Sequence, residues 1–241
     1  YSLITTSTLP DYPQKDETTS LTDTHNKPDT AIVVGCLRNM PKELWDRGQE
    51  YWVKYEDLFC TFKEVGSYSK LDSLGRFEIK VPLINSTEVF MDWKHTYINT
   101  VLEPGETYYL LYDFKSGHSI FMGKKCRLQN ELLAHPIPMI NADYAGKDEN
   151  KVPAQEMMQI LESRYKEAEG NLRKQIDKSA SISRCYQEYA AQYLLCIYAT
   201  DILQGAYSVK DNVFPQEYVS QVEKIWKEIP QPYTQFRDYS I

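Results

Sequence analysis

The sequence predicts an α+β fold, in which an antiparallel β-sandwich in the N-terminal half is followed by a small helical bundle. Apolar and polar residues alternate between Ala31 and Met122, in short runs separated by frequent turn residues. That pattern is typical of a sandwich of half-exposed antiparallel strands. From Gly123 onward the apolar residues recur every three or four positions, which is the spacing of amphipathic helices.

The chain of 241 residues is long enough for one large domain or two modest ones. We predict three segments: residues 1–30 as a polar tail or edge-strand segment, residues 31–123 as a β-sandwich domain, and residues 124–241 as a helical domain. Thr, Ser, Asp and Pro dominate the tail, so we expect a surface tether whose deletion leaves the fold intact. Ser2–Leu9 is uncharged and β-prone, and it could instead add as an edge strand to its own sheet or a neighbour's.

Short alternating runs define the predicted strands of the first half. Gly75 is expected in a turn that needs positive φ, and Pro104 with Gly105 fits a type II turn. The predicted strands are Ala31–Leu37, Leu58–Val65, Phe77–Val81, Val89–Trp93, Tyr97–Leu102 and Thr107–Tyr112.

Three amphipathic helices with short connections predict the bundle. The first is expected to open at Pro153, which suits the first helical position, and the third to stop at Pro230. The apolar stripes are Met157, Leu161, Tyr165, Ala168, Leu172 and Ile176; Ile182, Tyr186, Tyr189, Tyr193 and Ile197; and Tyr218, Val222, Ile225 and Ile229. We interpret the tyrosines of the second stripe as packing residues.

The formal net charge of −7 disfavours nucleic acid as a partner, because phosphate binding depends on clustered Lys and Arg. It also disfavours adsorption to anionic lipid. No apolar run approaches the roughly 20 residues of a membrane helix. The chain begins at Tyr1 without an initiator Met or a signal-peptide core, so we expect a processed or trimmed start from which any targeting segment has been removed.

The sequence predicts no catalytic, cofactor-binding or metal-binding residues. Its five cysteines are scattered without a Cys-x-x-Cys pair, and we expect them to be buried small side chains, with one disulfide between Cys36 and Cys60 as the alternative. The four histidines lack metal-ligand spacing to one another or to a cysteine. His95, beside Trp93, is the most interesting of them, although a surface or structural role is favoured.

Aromatic residues are the one compositional excess, at 13% with nineteen tyrosines. Trp45, Tyr51, Trp52 and Tyr55 cluster ahead of the second predicted strand. Exposed Trp and Tyr are common anchors for partners and sugars, because they bury a large area with few torsions. The four residues are therefore a candidate surface for a protein or glycan partner. The alternative is that they fill the core and its rim.

Four segments together resemble a known family. They are Asp72–Leu83 (DSLGRFEIKVPL), Leu102–Glu106 (LEPGE), Phe121–Gly123 (FMG) and Leu128–Leu132 (LQNEL). In order and spacing the chain resembles the N-terminal region of exported thioredoxin-like proteins of the TlpA and AhpC/TSA type from gut-type Gram-negative bacteria. There, a β-sandwich and a helical segment precede a C-terminal thioredoxin domain, whose chemistry needs a Cys-x-x-Cys at a helix start. No such pair occurs in this chain, so the resemblance carries over no catalytic residue.

The resemblance implies a non-catalytic N-terminal accessory module of a periplasmic or outer-membrane-anchored thiol–disulfide oxidoreductase. The module would position its own C-terminal thioredoxin-like domain, a substrate, or a second copy of the chain in a homodimer. The alternative is a free-standing extracytoplasmic protein that captures a peptide or glycan through the Trp45–Tyr55 cluster. A third hypothesis, an enzyme within these residues, predicts turnover that one carboxylate or histidine substitution abolishes.

Overall fold

The computed structural model describes residues 20–45, 50–56, 64–93, 96–138, 151–205 and 209–228. The chain divides into two compact units, Tyr1–Pro136 and Ile137–Ile241. The first unit is built mainly of strands and the second of helices. This confirms the predicted α+β class, with sheets in the N-terminal half and helices in the C-terminal half.

Two four-stranded sheets form the first unit, with strand orders β4-β1-β7-β8 and β3-β2-β5-β6. Neighbouring strands are antiparallel except β1 and β7, which run parallel. The strands are β1 (Asp29–Arg38), β2 (Glu50–Glu56), β3 (Glu64–Lys70), β4 (Arg76–Leu83), β5 (Thr87–Trp93), β6 (Thr96–Leu102), β7 (Thr107–Asp113) and β8 (His118–Met122). Helix α1 (Lys42–Trp45) lies between β1 and β2.

Strand β4 shows how the alternating sequence makes a sheet with one buried face. Phe77, Ile79 and Val81 are buried, while the residues between them are exposed, as the sequence pattern predicts. Strands β2 and β8 were not among the predicted strands, and β3 begins only at Glu64. Most of the predicted strand Leu58–Val65 lies outside the described residues.

The core of the first unit is a single cluster of buried side chains drawn from both sheets. Tyr51 on β2 stacks on Phe77 on β4, with ring centroids 4.1 Å apart. Trp93, Tyr108 and Phe121 are also almost completely buried. Full burial of each large apolar side chain contributes about 1.5–3 kcal/mol, so this cluster is the main source of stability in the unit.

Two glycines adopt positive φ at the predicted turns. Gly75 has φ of +74°, and a Cβ at this position would stand 2.6 Å from the carbonyl oxygen of Leu37. Gly105 has φ of +78°, and the amide of Glu106 donates to the carbonyl of Glu103 across the turn at 3.3 Å. The chain can therefore reverse at these places only with a residue that tolerates the left-handed region.

Residues 20–30 are held on the first unit, which corrects the predicted tail boundary at residue 30. Strand β1 begins within this segment. Ahead of it, the amide of Thr22 donates to the carboxylate of Glu103 at 2.9 Å, and the Ser86 hydroxyl donates to the Thr22 carbonyl at 2.5 Å. The Thr24 hydroxyl also donates to the Ile84 carbonyl at 2.7 Å, so main-chain and side-chain groups of the segment are hydrogen-bonded to the loops that connect the strands. Ser2–Leu9 lies outside the described residues.

Helix α2 (Arg127–Ala134) belongs to the first unit, whereas the predicted helical domain began at residue 124. The amide of Phe121 on β8 donates to Asn130 Oδ1, and Asn130 Nδ2 donates back to the Phe121 carbonyl, both at 2.8 Å. Gln129 Nε2 donates to the carbonyl of Val101 on β6 at 2.7 Å. Because β8 and β6 are edge strands of different sheets, α2 fastens the two sheets together, and the division falls after Pro136.

The second unit consists of helices α3 (Ala154–Lys178), α4 (Arg184–Gly205) and α5 (Gln216–Glu228), with a 3₁₀ turn at Lys210–Asn212. Pro153 stands one residue before α3, in an extended conformation. The buried residues of α3 include Met157, Leu161, Ala168 and Leu172, which follow the predicted stripe. No helix in the described part of the chain is both long and apolar enough to cross a membrane.

Tyrosines hold the second unit together. Tyr186 and Tyr189 on α4 are buried, consistent with their interpretation as packing residues. The rings of Tyr165 and Tyr198 stack at 4.7 Å, joining α3 to α4. The hydroxyl of Tyr218 on α5 donates to the carbonyl of Ile202 on α4 at 2.6 Å. The excess of tyrosine is therefore explained in part by packing in this unit.

Candidate functional site

The predicted aromatic cluster is divided by the geometry of β2. Successive side chains of a strand point to opposite faces, so Tyr51 and Trp52 separate. Tyr51 is completely buried in the core, and Trp52 lies half-buried on the outer face of its sheet. Tyr55 packs against the core, and its hydroxyl donates to the carbonyl of Pro82 at 2.9 Å. Trp45 is half-buried on helix α1, apart from the strand.

Trp52 lies in a row of side chains that crosses all four strands of its sheet. It pairs with Tyr68 on β3 and with Asp92 on β5, and Asp92 pairs in turn with Tyr97 on β6. The next outward row runs from Gly66 through Lys54 and Phe90 to Asn99. The residues between these two rows are Ser67, Val53, Met91 and Ile98. Ser67 is half-buried, and the other three are buried in the core.

The rings on this outer face form two stacked pairs. Trp52 and Tyr68 have centroids 4.6 Å apart with an interplanar angle of 29°. Phe90 and Tyr97 have centroids 5.5 Å apart with an angle of 19°. Tyr68 is 54% exposed and Tyr97 is 64% exposed. We name these four residues the aromatic face.

Polar groups separate the two ring pairs. Asp92 lies between Trp52 and Tyr97 in its row, and its Oδ1 atom is buried without a hydrogen-bond partner among the described residues. Lys54 and Asn99 flank Phe90 in the neighbouring row. The surface can therefore stack on a flat apolar group, and the exposed side chain of Asn99 can exchange hydrogen bonds beside the rings.

A second polar cluster fastens residues 20–30 to the sheet. Lys125 Nζ lies 3.1 Å from Thr22 Oγ1, 3.4 Å from Glu103 Oε2 and 3.1 Å from Glu106 Oε1. Partial burial opposes ionisation of the lysine, but the two carboxylates outweigh it and raise the pKa of Lys125. The three charges hold the segment in place, so this cluster has a structural role.

The cysteines and histidines do not assemble into a site in the described residues. Cys36 is a half-buried free thiol, and burial is the main cause of its raised pKa; Cys60, its predicted partner, lies outside the described residues. His25 pairs with Asp23 at 3.0 Å on the surface, and His95 lies outside the described residues. No group of three or more His, Cys, Asp or Glu that could hold a metal occurs in the described ranges.

Sequence reasoning found one residue of the aromatic face and missed three. Tyr68, Phe90 and Tyr97 are far from Trp52 in the sequence, so a search for clustered aromatics passes over them. The available signal was the alternation itself. Phe90 falls between two buried residues of its predicted strand, and Tyr97 comes directly before buried Ile98. Only the strand register places them beside Trp52.

Comparison with protein-family models finds no match, and comparison with curated proteins finds none either. Among solved structures, a putative cell adhesion protein from Bacteroides ovatus is similar over 40% of this chain and 43% of its own chain. The sequence identity is 10% and the TM-score is 0.26. A similarity of this size carries no argument about the fold or the function of this chain.

Proposed function

We propose that this chain is a non-catalytic binding module whose working surface is the aromatic face. The row of Tyr68, Trp52, Asp92 and Tyr97 across four paired strands is the observation that carries the proposal. Hydrogen-bonded strands fix the spacing of these rings, so little ordering free energy is lost when a partner covers them. The module acts by burying surface rather than by making or breaking bonds.

The polar groups buried in the first unit support a non-catalytic role. Asn130 and Gln129 join α2 to the edge strands. Glu103 accepts hydrogen bonds from Thr22 and Lys125. These hydrogen bonds give the four side chains a role in holding the fold, and the proposal places the working surface on the aromatic face.

The resemblance supports a particular setting for this module. We propose that it belongs to an exported thioredoxin-like thiol–disulfide oxidoreductase, in the periplasm or anchored to the outer membrane, and lies N-terminal to the redox domain. Residues that carry the resemblance, such as Gly75, Gly105 and Asn130, lie in the turns and the helix that fasten the first unit. The aromatic face would then hold the redox domain, its substrate or a second copy of the chain.

A free-standing extracytoplasmic protein that binds a peptide or glycan is the second candidate. The stacked ring pairs favour it, because exposed, ordered rings are costly in water unless something covers them. The two candidates share the same surface and differ in what occupies it.

The intact mass of the native protein distinguishes the two settings. A mass well above 28.1 kDa, with a Cys-x-x-Cys in the additional sequence, is expected for the accessory module. The additional domain should then reduce a disulfide substrate, whereas this chain alone should not. A native mass near 28.1 kDa would contradict the accessory-module hypothesis and favour a free-standing binding protein.

Variants of the aromatic face test the binding function itself. We expect the purified chain to bind saturably to a partner selected from a peptide library, a glycan array or the separately expressed remainder of the native protein. Trp52→Ala and Tyr97→Ala should weaken that binding at least about tenfold, or about 1.4 kcal/mol. Phe214→Ala, at an exposed aromatic residue of the second unit, is the matched control and should bind normally. The proposal would be overturned if Trp52→Ala and Tyr97→Ala both bound the partner as tightly as wild type. It would also be overturned if the chain bound nothing in the peptide library, the glycan array or the remainder of the native protein.

A further inference from the structure

We propose that the aromatic face binds a neutral oligosaccharide laid across the strands of the sheet. This inference rests on the proposed binding function. Of the two candidates it favours the free-standing glycan-binding protein, and it names the class of ligand. The two ring pairs would stack on successive sugar rings, and the side chains of Asp92 and Asn99 would bind their hydroxyl groups.

The hydrogen-bonding of the sheets disfavours an extended peptide. Peptides that join a sheet do so along an unpaired edge strand, where main-chain groups are available. The aromatic face centres on β2 and β5, which have strand neighbours on both sides. Two of the four edge strands are also occupied in part, because Asn130 bonds the main-chain groups of Phe121 on β8 and Gln129 bonds the carbonyl of Val101 on β6.

The size of the face disfavours a protein surface. Its two outward rows contain the four rings with Gly66, Lys54, Asp92 and Asn99. A stable protein–protein interface uses about 20–30 residues on each side. A strip this narrow matches a single linear chain of small rings better than the broad surface of a folded partner.

The chemistry of the face matches a sugar. A pyranose presents an apolar C–H surface, which stacks on aromatic rings, and a rim of hydroxyl groups that donate and accept hydrogen bonds. The unpartnered Oδ1 of Asp92 lies in the row between Trp52 and Tyr97, where it can accept from a hydroxyl once the ligand and side chain adjust. The Asn99 side chain is exposed and can both donate and accept.

Spacing and charge define the ligand further. One ring pair spans β3 and β2 and the other spans β5 and β6, so their centres lie two strand spacings apart, about 9.5 Å. Stacking on both pairs therefore needs more than one sugar ring. Lys54 and Asp92 balance each other on the face, and the chain has a net charge of −7. An acidic glycan would be repelled overall, which favours a neutral one.

The test is calorimetric titration of the whole 241-residue chain with a set of neutral hexasaccharides: maltohexaose, cellohexaose, xylohexaose, mannohexaose and hexa-N-acetylchitohexaose. At least one should bind saturably, with a dissociation constant of about millimolar or tighter. A hexagalacturonate of the same length should bind more weakly than the best neutral sugar. Tighter binding of the acidic sugar would overturn the assignment of a neutral ligand.

Substitutions tie the binding to the face. Tyr97→Ala and Trp52→Ala should each weaken binding at least about tenfold, and Asp92→Asn should weaken it by a smaller factor. Phe214→Ala should leave it unchanged. Tyr97 is largely exposed, so its variant keeps the fold and the test remains decisive if Trp52→Ala is unstable.

Failure of this inference can be told apart from failure of the proposed function. If none of the neutral sugars binds while a peptide or protein partner binds in a Trp52-dependent manner, the saccharide assignment is wrong and the binding function stands. If sugars bind equally well to wild type and Tyr97→Ala, the site lies elsewhere and the assignment is also wrong. If no partner of any class binds, both proposals fall.

Discussion

The side chain of Asn130 pairs with Phe121 as another strand would, accepting from its amide and donating to its carbonyl at 2.8 Å in both cases. A third hydrogen bond runs from Asn130 Nδ2 to the carbonyl of Cys126 at 2.8 Å. Asn130 is only 3% exposed, so no water replaces these bonds easily. Helix α2 thereby closes the outer edge of β8, and an open edge is where sheets join foreign strands.

Replacing Asn130 with alanine should therefore lower the free energy of unfolding by about 2–4 kcal/mol, because it leaves buried main-chain groups unpaired. Urea denaturation measures the change. Asn99→Ala, at an exposed asparagine, is the control and should change stability by less than about 0.5 kcal/mol. Equal effects of the two substitutions would show that α2 does not depend on this pairing.

Gly75 and Gly117 have nearly the same φ, so alanine substitutions there can distinguish the cost of a left-handed backbone from the cost of a steric clash. Gly75 and Gly117 have φ of +74° and +72°, but a Cβ would meet the carbonyl of Leu37 at the first site and nothing within 4 Å at the second. We expect Gly117→Ala to cost about 1 kcal/mol from the left-handed conformation alone. Gly75→Ala should cost clearly more, and thermal denaturation of the two variants in parallel measures the difference. Equal costs would mean that the turn moves away from Leu37.

The stability of the first unit should depend on Asp113 at acid pH. Burial opposes ionisation of this carboxyl, but hydrogen bonds from the Asn39 side chain at 2.7 Å and the Lys115 amide at 2.9 Å outweigh it and lower the pKa of Asp113. A lowered pKa in the folded state stabilises the fold above the unfolded value of about 3.9. That contribution is lost as the pH falls through the lower folded value.

Asn39→Gly removes the hydrogen-bond donor while keeping a residue that tolerates the positive φ of 55° at this position. The stability difference between wild type and this variant should be constant from neutral pH to about pH 5 and should shrink below about pH 4. Denaturant titrations at a series of pH values measure it. If the stability difference between wild type and Asn39→Gly grew as the pH fell, the hydrogen bond from Asn39 could not be what lowers the pKa of Asp113.

Two N-terminal truncations distinguish the tether from the fastened segment. Removing residues 1–30 takes away the start of β1 and the hydrogen bonds of Thr22 and Thr24 to Glu103, Ile84 and Asn85. We expect it to lower the free energy of unfolding by at least about 3 kcal/mol, since each bond contributes about 0.5–1.5 kcal/mol. Removing residues 1–19 should leave the melting temperature unchanged if the tether prediction holds for them. A large drop for the shorter truncation would favour the added-strand alternative.

The sequence was most informative where one face of an element is buried along its whole length. The alternation in β4 and the stripe of α3 are examples, because a period of two or of 3.6 can be seen within a short window. The same period could have separated Tyr51 from Trp52, but β2 was not recognised as a strand. Local periodicity also placed α2 among the helices of the second half, since Leu128 and Leu132 cannot reveal which unit they contact.

The features that sequence could not supply all depend on pairing between distant segments. The parallel register of Val33 with Tyr108 joins residues that no window contains together. The aromatic face depends on the register of four strands, so its members could be found only after those strands were aligned. The bonds that fasten Thr22 depend on a serine, a glutamate and a lysine from later parts of the chain. Composition alone predicts that such a polar segment is exposed to solvent.

The position of β1 has a consequence for how the protein folds as it is made. This strand is central in its sheet and pairs with β4 and β7, and β7 ends only at Asp113. Non-local pairings of this kind slow folding, because a long loop must close before any contact forms. On the ribosome, hairpins such as β5–β6 can form as they emerge, whereas the edge of β1 that faces β7 stays unpaired until β7 has been made. Mutations that weaken β7 should therefore reduce the yield of folded protein before they reduce the lifetime of the folded state.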